Sequence, residues 1–170
     1  AQTITDNSPA GHNKPIVVSG ITGTVNGVTL TFTGLTHTWV GDLIITLQQP
    51  SGGPIHTMVF RVTNTNCAAP GAGDSSNLNG AYTFSDAGAT TVFTASLGGA
   101  SAFVIPAGTY RSTTCSATAT SINTTFGFPG AVGPSNINGT WNVFISDNAT
   151  GDTGAFTDVA LNVDWTAPAC

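Results

Sequence analysis

All eight acidic residues of this 170-residue chain are aspartates, and glutamate is absent. Three of them, Asp147, Asp152 and Asp158, stand on or beside one turn-rich stretch that runs from Asp147 to Gly154. Clustered carboxylates with backbone carbonyls suit Ca²⁺, a hard cation that takes roughly six to eight oxygen ligands. The spacing is not that of an EF-hand, because Ala149 and Gly151 stand where ligands should be. The alternative is that these aspartates close turns by accepting nearby backbone N–H groups.

Nucleophilic chemistry has less to build on. A serine nucleophile needs a base and an orienting acid within hydrogen-bond reach. Ser and Asp are present along with His12, His37 and His56, so composition does not forbid a triad. No Gly-x-Ser-x-Gly elbow occurs, however, and no pair of carboxylates stands out for acid–base work. No catalytic residue is assigned, and the chain is not expected to be an enzyme. Cys67, Cys115 and Cys170 show neither zinc nor redox spacing. They allow one disulfide, Cys67–Cys115, with Cys170 left over, or three free thiols. Asn123, Asn138 and Asn148 each begin an acceptor triplet for N-linked sugar.

The elements that must position these groups are strands. Only 6% of residues are charged, and polar positions are filled with Thr, Ser, Asn and Gly, the vocabulary of strands and turns. Val28, Leu30 and Phe32 alternate with Thr29, Thr31 and Thr33, which predicts a half-buried strand. Trp141, Val143 and Ile145 do the same, as do Val159, Leu161, Val163 and Trp165, and the turn-rich stretch between these two runs predicts an antiparallel hairpin with a long loop. Further strands are expected over 15–19, 21–25, 43–48, 55–62, 81–84, 91–97, 102–105 and 108–111, with a long ordered loop over 64–80. The whole reads as one all-β domain over 1–170, a sandwich of antiparallel strands, with residues 1–14 as an extended lead.

Two motifs carry a family resemblance. The run His37-Thr38-Trp39-Val40-Gly41-Asp42-Leu43-Ile44-Ile45-Thr46-Leu47, followed by Pro50-Ser51-Gly52, resembles the P domain that follows the catalytic domain of proprotein convertases and of many bacterial secreted proteases. Asn138-Gly139-Thr140-Trp141-Asn142-Val143-Phe144-Ile145-Ser146-Asp147, running on into Gly151-Asp152-Thr153-Gly154, is a second match, and Thr83-Phe84-Ser85-Asp86-Ala87 a weaker third. The resemblance spans about Ile4 to Trp165 and implies a jelly-roll-like β-sandwich. It also implies strand pairing that would bring Asp42 toward the aspartate loop, making Asp42, Asp147, Asp152 and Asp158 the expected Ca²⁺ ligands. The segment after Tyr110 and the last strand depart from the family's pattern. Read by themselves, Gly41 and Asp42 suit a tight turn closed by the carboxylate, and Trp39 and Trp141 suit core anchors.

Composition narrows the partners. Lys14, Arg61 and Arg111 are the only cations against a net charge of −5, too few to follow a phosphate backbone or to grip anionic lipid. No run approaches the ~20 apolar residues of a membrane helix. The first residues, Ala1 to Thr5, read as a mature or trimmed end, which points to a secreted or cell-surface protein. The expected role is a non-catalytic structural or adhesive module that contacts other proteins or copies of itself, as in a fibril or surface layer, through an edge strand or the N-terminal lead. The alternative is an accessory domain C-terminal to a secreted subtilisin-like protease.

Overall fold

The computed structural model describes residues 1–63, 73–97, 101–129 and 134–169. Its strands are β1 (Gln2–Ile4), β2 (Ser8–Val18), β3 (Thr24–His37), β4 (Leu43–Gln48), β5 (Ile55–Phe60), β6 (Asn77–Phe84), β7 (Val104–Ile105), β8 (Gly108–Tyr110), β9 (Ser112–Thr113), β10 (Ala119–Thr120), β11 (Gly139–Asp147), β12 (Gly154–Phe156) and β13 (Asp158–Thr166). Short helices α1 (Val92–Ser96), α2 (Ile122–Phe126) and α3 (Pro134–Ile137) sit in the connections. One sheet has seven strands on the path β1-β12-β3-β6-β7, with β13 also on β3 and β8 also on β6; the second has the order β2-β11-β4-β5, and β9 and β10 form a separate two-stranded ribbon. The fold is an all-β sandwich, as the alternating residues require. The ladders are antiparallel except where β7 and β8 run parallel to β6.

The inward residues are those that alternation marks. Val28, Leu30 and Phe32 of β3 face Leu43, Ile45 and Leu47 of β4 and Trp141, Val143 and Ile145 of β11 within one core, all of them buried. Each such side chain stabilises the fold by roughly 1.5–3 kcal/mol. Phe32 packs edge-on against Phe156 at 5.4 Å, and Phe126 edge-on against Trp141 at 5.1 Å. The Trp141 indole N–H donates to the carbonyl of Ile137 at 2.9 Å, so this ring is the expected anchor with its polar atom satisfied. Trp39 is only half-buried.

Four expectations change. The runs 139–147 and 158–166 are not a hairpin: β11 pairs with β2 and β4 in one sheet, whereas β13 pairs with β3 in the other. Within the extended lead, β1 pairs with β12, and β2 begins at Ser8 despite Pro9 and Gly11, taking up a register shift opposite Ile145 and Asp147. Ile21 lies between strands, held by Asn138, whose Oδ1 accepts the Ile21 N–H at 3.0 Å and whose Nδ2 donates to the Ile21 carbonyl at 2.8 Å. The run 91–97 is not a strand. Thr91 caps α1 there by accepting the Thr94 N–H at 3.1 Å, a local bond that competes with a sheet ladder. Of the expected loop over 64–80, the part from Asn77 is β6, paired with β3.

Candidate functional site

Among the described residues, two groups of buried polar side chains are built around a histidine. The first is at the end of the sandwich where β3, β4 and β11 meet. His37 ends β3 and Asp147 ends β11, and His37 Nε2 lies 3.0 Å from Asp147 Oδ2 with both side chains fully buried. His37 Nδ1 lies 3.0 Å from the Trp39 carbonyl oxygen and 3.2 Å from the Trp39 nitrogen, so the ring is held between the Asp147 carboxylate and the Trp39 backbone. Burial holds the imidazole below its ordinary value of 6.5, against the pull of Asp147 and of the Trp39 backbone. Asp147 Oδ1 accepts the Ala149 N–H at 3.0 Å, so each oxygen of this carboxylate has a protein donor.

Asp42 belongs to the same end, and its position is set by glycine. A Cβ on Gly41 would stand 2.4 Å from the Gly73 Cα and from the Asp74 nitrogen, so only a bare backbone fits between Val40–Asp42 and the chain at Gly73. Gly41 is thus needed for close approach, not for a turn dihedral. The Asp42 carboxylate does not close the turn as expected but lies 3.8 Å from the Arg61 guanidinium, both side chains buried. Its pKa is raised from 3.8 to about 6 by burial first, then by Asp147 and Asp152, and the opposing pull of Arg61 is smaller. The Asp42 carbonyl accepts the N–H of Asn148 at 2.9 Å and its Nδ2 at 3.2 Å, which joins the two motifs.

The expected Ca²⁺ ligands are therefore divided. Asp42, Asp147 and Asp152 share one end, but Asp152 is hydrogen-bonded by the Thr38 hydroxyl at 2.8 Å, and Asp158 opens β13 on the sheet surface opposite Thr33. Among the described residues no three His, Cys or Asp side chains converge in a way that could hold a metal ion. The two Asp147 oxygens face His37 and the Ala149 N–H, and Asp158 stands apart from the other three aspartates.

The second cluster escapes sequence reading. His56 of β5 is buried with its Nε2 2.7 Å from the Ser112 hydroxyl and its Nδ1 2.7 Å from the Thr125 hydroxyl. Serine against imidazole is the pairing of an activated nucleophile. Here Ser112 is wholly buried, its hydroxyl donates to the Thr120 carbonyl at 3.0 Å, and the third position is a threonine instead of a carboxylate. Burial pushes His56 down to about 4, outweighing the pull of Asp86. The group is a chain of hydrogen bonds that ties β5 to β9 and α2. Nothing in the spacing of residues 56, 112 and 125 signals it, because only the fold brings them together.

The remaining expected sites are used structurally or lie elsewhere. Asn123 Oδ1 accepts the Val28 N–H at 3.2 Å, Asn138 clasps Ile21, and Asn148 Nδ2 donates to Asp42 and Ser146, so each acceptor asparagine holds two segments together. Cys115 is disulfide-bonded. Cys67 and Cys170 lie outside the described residues. Asp86 accepts from the Ser121 hydroxyl and from the N–H groups of Ile122 and Asn123 at 2.7–3.0 Å, fixing the start of α2.

Among the described residues, one side of the sandwich is bounded by two strands that each have a single partner. Among the described residues β2 is paired only with β11 and β13 only with β3, so each is the last strand of its sheet. The two strands also contact each other across the layers. Ile16 and Val18 of β2 and Leu161, Val163 and Trp165 of β13 pack on the core but stay partly uncovered, and Val17 is 73% exposed. No described helix is long and apolar enough to cross a membrane. Compared with known proteins, the chain matches no family model, no curated protein and no solved structure.

Proposed function

We propose that this chain is a non-catalytic extracellular module that acts by contact, associating with copies of itself through the open side formed by β2 and β13. The observation that carries the reading is the juxtaposition of two sheet edges of eleven and nine residues over an apolar seam that neither closes. Edge strands are usually blunted by charge or proline. β2 has Pro9, Pro15 and Lys14, whereas β13 has no proline and only Asp158 and Asp164. A strand supplied by a neighbour would take up the free backbone groups of β13 and cover Leu161, Val163 and Trp165 together. Two further features support the reading. The polar side chains that sequence marks for chemistry are spent on internal bonds, and a disulfide at Cys115 belongs in an oxidising compartment.

Sedimentation velocity over a dilution series, with electron microscopy of the same material, tests the proposal. Concentration-dependent association is expected, and Leu161→Lys, an inward-pointing charge on the edge strand, abolishes it while the far-UV spectrum is kept. Should Leu161→Lys fail to fold, Ala160→Lys with Asn162→Lys on the exposed face of β13 serves instead. Wild-type protein that stays monomeric at its highest soluble concentration overturns the proposal.

A further inference from the structure

A second surface lies on the opposite face of the β2-β11-β4-β5 sheet from the core, where a shallow groove of about 400 Å³ is lined by Asn13, Thr46, Gln48, Ile55, Asn142 and Phe144. The strand register explains the set. Pro15, Asn142, Gln48 and Ile55 form one row across the four strands, and Asn13, Phe144 and Thr46 form the next. Side chains in a row stand about 4.8 Å apart and the rows are about 7 Å apart. Three amides, a hydroxyl, a phenyl ring and a sec-butyl side chain thus share one surface.

From this we infer that the groove is a binding site for a neutral oligosaccharide. The lining holds no charged residue. An anionic or cationic ligand would find no counter-charge. The backbone also has nothing to offer a peptide, since β11 and β4 are hydrogen-bonded on both sides; recognition must come from side chains. Each amide offers both donors and an acceptor, the complement a pair of neighbouring hydroxyls needs. Asn13 Nδ2 donates to Asn142 Oδ1 at 3.1 Å, which orients both amides and leaves Asn142 Nδ2 and Asn13 Oδ1 without a partner among the described residues. Gln48 Nε2 is turned toward the Gly53 carbonyl at 3.4 Å.

The apolar components match the same chemistry. Phe144 points away from the core, yet its ring is held in place: it lies so close over Gly11 that a Cβ there would stand 2.5 Å from Cζ. Gly11 has a φ of 60°, which also favours glycine, so the sequence keeps this seat for the ring in two ways. A phenyl ring that lines a groove among polar side chains gives a sugar's apolar C–H groups a surface to pack on while the amides take its hydroxyls. Ile55, 58% exposed, forms an apolar margin beside Gln48.

The test is titration of ¹⁵N-labelled protein with the neutral hexaoses of glucose, xylose, mannose and N-acetylglucosamine, with a heparin hexasaccharide as the anionic comparison. At least one neutral hexaose is expected to shift the amides of Asn13, Thr46, Gln48 and Asn142, with an affinity unaltered by added salt. Asn142→Ala and Phe144→Ala each weaken it by roughly tenfold or more, and the Asn142 variant, altered only at an outward amide, guards against loss of fold. Leu161→Lys, on the other sheet, leaves binding intact and keeps this site distinct from self-association. No shift with any neutral hexaose overturns the inference, as does preference for heparin, or shifts confined to β13.

Discussion

At the scale of single residues, the buried histidine and the buried aspartate titrate in opposite senses. His56 takes up a proton near 6.5 when unfolded and only near 4 in the native core. Its contribution to stability is full above 6.5 and is lost as pH falls toward 4, by about 3 kcal/mol in all. Asp42 goes from 3.8 to about 6 on folding, so its contribution is full below 3.8 and lost as pH rises through 6. The two oppose each other over the same window. We expect Asp42→Asn to remove one side of that balance, so that urea stability between pH 6.5 and 4 falls more steeply on acidification than in the wild type. Equal slopes would show that Asp42 does not hold its proton in the native state. His37 and His56 are visible in the sequence only as imidazoles; both are buried, and their hydrogen-bond partners are Asp147 in one case and Ser112 and Thr125 in the other.

At the scale of elements, alternation was legible and local capping was not. Val28, Leu30 and Phe32 of β3 and Trp141, Val143 and Ile145 of β11 are buried as their spacing requires. The stretch Thr91–Leu97 is rich in strand formers, yet Thr91 caps a helix, because one side-chain bond to Thr94 outweighs a weak propensity. Helix α2 depends on its start in the same way. Asp86 satisfies two of its backbone N–H groups and the Ser121 hydroxyl from 35 residues away, a role no nearby residue betrays. Replacing Asp86 with Ala is expected to cost about 2 kcal/mol in chemical denaturation, and Asp86→Asn, which keeps one acceptor oxygen, less. A loss below about 0.5 kcal/mol would mean that water replaces the carboxylate at the helix start without penalty.

At the scale of the whole molecule, the sandwich is joined by contacts distant in sequence: β2 to β11, β3 to β13, and the clasp of Asn138 on Ile21. A covalent link adds to these. Cys115 is disulfide-bonded, and Cys67 and Cys170 are the other cysteines of the chain. Replacing Cys115 with Ser is expected to lower unfolding free energy by about 2–4 kcal/mol, and Cys67→Ser to match it if the link is the expected Cys67–Cys115. A Cys115→Ser protein as stable as the wild type would show that the link does not restrain the unfolded chain.

The amino-acid sequence alone determined the class of fold, because a residue's alternation states which face of a strand it occupies whatever that strand is paired with. It also bounded the partners, since three cations cannot build a basic surface. Tertiary structure decided the rest. Alternation says which way a side chain points and nothing about the neighbouring strand, so only the folded chain sends β11 and β13 into different sheets, brings the open sides of β2 and β13 together, and sets Asn13, Asn142 and Gln48 in adjoining positions on one face.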